Sequence, residues 1–225
     1  EHSHPICGET HTGIGDHTGT CDNVTWIEVT KKDVTEGGEL KLEDGKSYYL
    51  GEDIEVKYDI TIKGTVNLCL NGKTLNSQYT VIEVKGGATL NICDCHGGGE
   101  ITNTSESNSP IQVNTRKQDK GLDTATLNLY GGEVSGGVFD NIHDKSIIKL
   151  DSSYEGSKAV FNMYGGTTAQ PLRCSICMAA RCIIIIIKIP VDLPSMPAIR
   201  ESVPATSSSI CTAGALPAKK GMASN

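Results

Sequence analysis

The sequence predicts an all-β protein, a right-handed single-stranded parallel β-helix, incomplete and carrying a poorly structured C-terminal tail. Three observations lead there. A four-residue unit recurs without gaps: Val66-Asn67-Leu68-Cys69, Leu90-Asn91-Ile92-Cys93, Leu127-Asn128-Leu129-Tyr130 and Phe161-Asn162-Met163-Tyr164. Its first and third positions are always apolar, which is the alternation of a strand with one buried face. The chain of 225 residues also holds 25 Gly but only two Phe and one Trp, a composition that suits a thin, turn-rich solenoid.

The Asn column recurs after 24, 37 and 34 residues. Strands that stay in register while loops vary in length are the mark of stacked coils, each about 4.8 Å above the last. Val66, Leu90, Leu127 and Phe161 are then expected to form one inward column, and Leu68, Ile92, Leu129 and Met163 another. Before the first repeat, 48–50, 54–56 and 60–62 alternate as strands, and 81–84 and 111–113 supply further faces of the coils. The last two repeats continue as Tyr-Gly-Gly, at 130–132 and 164–166, where the glycines allow a tight turn. An antiparallel sandwich would also alternate, but it would not readily repeat Asn and Tyr-Gly-Gly at one strand position.

Composition divides the chain into a Cys/His-containing leader (1–24), the β-helix (25–167) and a tail (168–225). The tail holds six of the eight Pro but two of the 25 Gly, and Asp192 and Glu201 are its only acids against six Lys or Arg. A reading-frame slip accounts for the change. Cys174-Ser-Ile-Cys-Met-Ala-Ala180 permits the codons TGT TCA ATA TGT ATG GCG GCA. Read from the third base, these give Phe-Asn-Met-Tyr-Gly-Gly, the repeat at 161–166. The same shift over 208–218 permits it again, 34 residues on. The tail is therefore expected to pack weakly, with 183–187 as an aggregation-prone run and Cys174–Cys177 carrying no redox or zinc role. Glu1 in place of Met suggests a processed or cut end.

The net charge of −7 gives no support for nucleic-acid binding, and no run reaches the roughly 18 apolar residues that span a bilayer. The leader places His2, His4, Cys7, His11, His17 and Cys21 within 21 residues. His4, Cys7, His17 and Cys21 could hold Zn²⁺ tetrahedrally. The alternatives are a Cys7–Cys21 disulfide and an unstructured leader. Cys69 and Cys93 share a strand position on successive coils, within disulfide reach. Cys69–Cys95 competes with that bridge, and free thiols are the third possibility.

The runs at 69–75 and 87–95, with Phe161-Asn162-Met163-Tyr164-Gly165-Gly166, resemble the repeats of large secreted surface proteins of gut Firmicutes. Those are similar in fold to pectate lyases and adhesins, the pectin-lyase-like superfamily. The resemblance spans about 25–167. It implies a bacterial, extracellular, multi-domain parent with a wall or membrane anchor, and it does not imply catalysis.

A lyase of this fold needs acids to hold Ca²⁺ and a base next to the substrate carboxylate. Arg116, Asp119 and Asp123 are the candidates, with Asp94, Asp140, Asp144, Asp151, Lys117 and Lys120 around them, mostly in loop-like stretches at 103–123 and 136–158. They read more readily as ordinary solvated loop charges, and no acids stack at the repeat spacing. The sequence therefore favours a non-catalytic extracellular scaffold or adhesin with a glycan or host-surface partner. The alternative is a polysaccharide lyase or glycoside hydrolase with its site in missing coils. Asn67, Asn91, Asn128 and Asn162 could form an amide ladder that only stabilises the stack. Facing outward with Tyr130 and Tyr164, the same ladder would instead resemble a sugar-binding strip.

Overall fold

The computed structural model describes residues 2–6, 23–116, 121–136, 146–154 and 156–169, together with the backbone of 181–186. Strands dominate. An antiparallel pair, β1 (Ser3–Pro5) and β2 (Asn23–Thr25), precedes β3 (Ile27–Val29). The solenoid then runs β4 (Ser47–Leu50), β5 (Ile54–Val56), β6 (Ile60–Ile62), β7 (Thr65–Cys69), β8 (Thr74–Ser77), β9 (Ile82–Val84), β10 (Thr89–Cys93), β11 (Glu100–Asn103) and β12 (Ile111–Thr115). It continues through β13 (Thr124–Leu129), β14 (Glu133–Val134), β15 (Ile148–Ser152), β16 (Lys158–Met163), β17 (Thr167–Thr168) and β18 (Arg181–Ile186).

β3 pairs with β4 and β18 with β16; between these ends, from β4 to β14, each strand pairs with the strand three places later. That rule builds three parallel sheets: β3-β4-β7-β10-β13-β16-β18, β5-β8-β11-β14-β17 and β6-β9-β12-β15. The chain is thus an all-β parallel β-helix, with three strands to each coil. Register follows the sequence repeat residue for residue. Val66 opposes Leu90, Leu90 opposes Leu127, and Leu127 opposes Phe161. Leu68, Ile92, Leu129 and Met163 align in the same way.

Each sheet sends its own column inward. Ile54, Leu75, Ile101 and Val134 come from the second sheet, while Ile60, Ile82, Ile111 and Ile148 come from the third. All belong to one buried cluster with the first-sheet residues. Full burial of such a side chain is worth roughly 1.5–3 kcal/mol. A single coil cannot bury its own column, so the stack stands or falls together.

The Tyr-Gly-Gly units mark where one coil's backbone lies against the next. A Cβ at Gly165 would run into the Tyr130 carbonyl, and one at Gly166 would meet the Gly132 carbonyl. Gly132 and Gly166 both take the left-handed conformation, at φ 87° and 75°.

Several strands differ from expectation. β8 and β11 each carry one fully buried apolar side chain, Leu75 or Ile101, too few to create a period. β15 lies inside a stretch that reads as a loop, yet Ile148 and Leu150 point inward beneath Ile111 and Val113. These segments become strands because the neighbouring coil offers backbone partners. The tail brings a further difference. Residues 181–186 pair in register with β16, from Lys158↔Arg181 to Met163↔Ile186. The exposed edge of a parallel sheet accepts a β-prone segment through backbone groups, whatever its side chains were selected for. Apart from Thr168 and Ala169, the remainder of the tail lies outside the described residues.

Candidate functional site

The outer face of the first sheet carries most of the residues singled out by the sequence. The Asn column is a continuous ladder. Asn91 Nδ2 donates to Asn67 Oδ1, Asn128 Nδ2 to Asn91 Oδ1 and Asn162 Nδ2 to Asn128 Oδ1, each at 2.7 Å. Asn67 Nδ2 donates to Ser47 Oγ at 2.8 Å, which starts the ladder one coil earlier. It ends at Asn162 because the register partner in β18 is Ile185, which has no amide. At the far end of the same strands, the Tyr130 and Tyr164 rings stack at 4.8 Å and 7°. The amides thus satisfy one another, and each ring covers one face of the other. Asn67 and Asn91 are buried, and Asn128 and Asn162 partly exposed.

Where later coils place Tyr, the earlier ones place Cys69 and Cys93, which oppose each other in register. The outer face here is covered rather than open. Ile6 and Trp26, from beside the β1–β2 pair, bury Cys69 and Cys93, and Val24, Tyr49, Cys95 and Tyr130 pack around them. Cys69, Cys93 and Cys95 are free thiols, with Cys69 Sγ facing Cys95 Sγ at 3.5 Å. A hydrogen bond from the Cys93 thiol holds the Cys69 thiol well below the ordinary thiol range. Burial opposes that shift, while the Cys95 backbone, His2 and the Cys95 side chain add to it. The same pairing and burial push Cys93 up.

Two histidines complete the cluster. His2 stacks on Tyr49 at 4.1 Å and 7°, and His4 on Trp26 at 4.5 Å and 27°. Trp26 Nε1 donates to the His4 carbonyl at 3.1 Å, fixing β1, which carries His4 and directly follows His2. His2 Nε2 and His4 Nε2 lie 2.8 Å apart, and His2 Nε2 is 3.8 Å from Cys95 Sγ. Ligand atoms of His2, His4, Cys69 and Cys95 all fall within 4.8 Å of one another. Of the zinc set expected from the leader, His4 is the one member among the described residues, and it takes part here. Cys7, His17 and Cys21 lie outside the described residues, and so does the alternative Cys7–Cys21 bridge. Cys69 and Cys95 join His2 and His4 only through the fold, since more than 60 residues separate the pairs in sequence.

The acidic and basic candidates have structural partners. Arg116 donates to Glu83 Oε1 at 2.7 Å, and the same carboxylate takes Lys85 at 2.6 Å and Asn114 Nδ2 at 2.8 Å. Asp123 accepts from the Tyr154 hydroxyl at 2.8 Å and from Gly121 N at 3.2 Å. Asp94 accepts from the backbone N–H groups of Gly72 and Gly99, both at 2.7 Å, and so joins two coils at a turn. Asp151 lies on β15 opposite Asn114. Asp119, Lys117, Lys120, Asp140 and Asp144 lie outside the described residues. Among the described residues, His2, His4, Cys69 and Cys95 form the one group of three or more His, Cys, Asp or Glu close enough to share an ion.

The sequence reading missed an exposed aromatic pair. Tyr58 and Tyr79 are 59% and 58% exposed, each two residues beyond the register partners Val56 and Ser77. They therefore occupy one corner of successive coils. Tyr58 lines an open depression whose wall mixes Leu40 and Leu42 with the charged side chains of Glu39, Lys41, Asp44, Asp59 and Lys63. Each tyrosine falls in a short turn without any repeated motif, and only the register of the flanking strands aligns the two. Compared with family models, characterised proteins and solved structures, the chain matches none.

Proposed function

We propose that this chain is a non-catalytic scaffold of an extracellular bacterial surface protein, similar to the pectin-lyase-like solenoids, which presents a rigid face to a glycan or host-surface partner. The observation that carries the reading is the corner formed by Tyr58 and Tyr79. Two large rings left in water on successive coils are unusual for a side chain that gains from burial, and tyrosine offers an apolar face with a polar tip to a pyranose ring. The neighbouring depression adds carboxylates and ammonium groups for sugar hydroxyls. The Asn ladder and the Tyr130–Tyr164 stack serve instead as internal fastenings of the rod, since their polar groups and ring faces are mutually engaged.

The test is binding of the full chain to an immobilised glycan array, together with assays for new reducing ends and unsaturated products on pectins. Binding without turnover, weakened at least about tenfold (about 1.4 kcal/mol) by Tyr58→Ala with Tyr79→Ala, supports the reading. Product formation abolished by Arg116→Ala or Asp123→Ala would replace it with a polysaccharide lyase or hydrolase.

A further inference from the structure

We propose that His2, His4, Cys69 and Cys95 form a tetrahedral Zn²⁺ site that fastens the N-terminal β1–β2 pair to the outer face of the first sheet. The four donors come from three separate places: the start of the chain, the end of β7 and the turn after β10. Zinc bonds of about 2.3 Å to sulfur and about 2.05 Å to nitrogen, at tetrahedral angles, imply ligand separations of about 3.8 Å (S–S), 3.5 Å (S–N) and 3.3 Å (N–N). The corresponding separations are 3.5 Å between Cys69 and Cys95, 3.8 Å between Cys95 and His2, and 2.8 Å between the histidines. Shifts of about half an ångström would bring all three to the zinc values.

The support around the donors fits a metal site. His4 Nδ1 lies 2.6 Å from the Pro5 carbonyl, which can only accept, so Nδ1 carries the proton and a neutral His4 presents a bare Nε2 to the cluster. A backbone carbonyl on the remote nitrogen is the common means of orienting a metal-bound imidazole. Tyr49 and Trp26 hold the two ring planes. Two thiolates and two neutral imidazoles around a dication make a formally neutral unit. That suits a partly buried position against Ile6 and Trp26, where an uncompensated charge would be costly. Thiolate donors select a soft or borderline metal over Ca²⁺ or Mg²⁺. His96, with Nδ1 3.1 Å from Cys95 Sγ, braces that sulfur from the solvent side.

The site joins residues 2–4 to residues 69 and 95, and so closes loops across the first three coils. The chain is tested at full length, purified without chelator. Metal analysis should find zinc. Replacement by Co²⁺ should give one equivalent with thiolate charge-transfer and tetrahedral ligand-field bands. His4→Ala should weaken Co²⁺ binding more than about tenfold, the loss seen even for outer supports of a metal site. Cys69→Ser with Cys95→Ser should abolish the bands, and Cys7→Ser with Cys21→Ser should leave them intact. His2→Ala, changed next to the chain end, keeps the test open if the cysteine variants fail to fold. Three results would overturn the proposal: no bound metal, a Cys69–Cys95 disulfide in the non-reduced protein, or Co²⁺ bands that survive both histidine variants.

Discussion

The Asn91 side chain donates to Asn67 Oδ1 at 2.7 Å and accepts from Asn128 Nδ2 at the same distance, so a single amide links three successive coils. Asn91 is 6% exposed, and water cannot readily replace either partner. Asn91→Ala should therefore cost more than one hydrogen bond, because it strands Asn67 Oδ1 and Asn128 Nδ2 together. A loss of about 2–3 kcal/mol is expected, read as a lower urea midpoint with the slope unchanged. Asn162→Ala, at the end of the ladder, should cost less than half of that.

Among the described residues Phe161 is the largest fully buried side chain, and it continues the column of Val66, Leu90 and Leu127. Phe161→Ala should destabilise by about 3–5 kcal/mol, whereas Tyr58→Ala should stay within about 0.5 kcal/mol. Equilibrium denaturation of the two variants gives the comparison. Equal effects would mean that the inward column is misplaced.

Gly45 and Gly166 share a left-handed backbone, at φ 73° and 75°, but differ in their surroundings. A Cβ at Gly45 meets nothing within 4 Å, whereas one at Gly166 meets the Gly132 carbonyl. Gly45→Ala should cost about 1–2 kcal/mol, the conformational penalty alone. Gly166→Ala should cost clearly more, because two coils must also move apart. Thermal unfolding of the pair separates the two contributions.

Burial alone would raise the Glu83 carboxyl, but hydrogen bonds from Lys85 and Asn114 and the charges of Lys85 and Arg116 outweigh it, leaving its pKa below the ordinary carboxylate value. A folded pKa below the unfolded one means that the unfolded chain binds more protons in between, so stability rises with pH across that window. The contribution is complete above the ordinary carboxylate value and disappears as pH falls through the depressed one. Glu83→Gln should flatten this part of the stability–pH curve and leave the curve above about pH 6 parallel to wild type. Denaturant midpoints measured from pH 2 to 7 test it.

Much of the stack was legible because the first sheet repeats a pattern that backbone geometry demands. Alternation at 66–69, 90–93, 127–130 and 161–164 places Val66 and Leu68 inside, and the repeated Asn sets which positions oppose. Beyond its first strand at 54–56, the second sheet was not legible, since β14 is two residues long and Leu75 or Ile101 stands alone in its strand. The Tyr-Gly-Gly turns were legible as turns, but their reason, one coil's carbonyl lying where a side chain would be, appears only in three dimensions. Arg116 and Asp123 looked catalytic by residue type alone. Their partners Glu83 and Tyr154 lie 33 and 31 residues away, beyond any local pattern.

By itself, the sequence determined the fold class, the axis of stacking and the register of the first sheet, because a period-two strand with one invariant polar position can align with its copies in only one way. The tertiary structure alone decided which outward residues stay in water. It laid Trp26 and Ile6 over Cys69 and Cys93, left Tyr58 and Tyr79 bare, and carried His2 and His4 to Cys95. The physical reason is that alternation distinguishes the two faces of a strand, whereas the covering of an outer face depends on where a distant segment comes to rest.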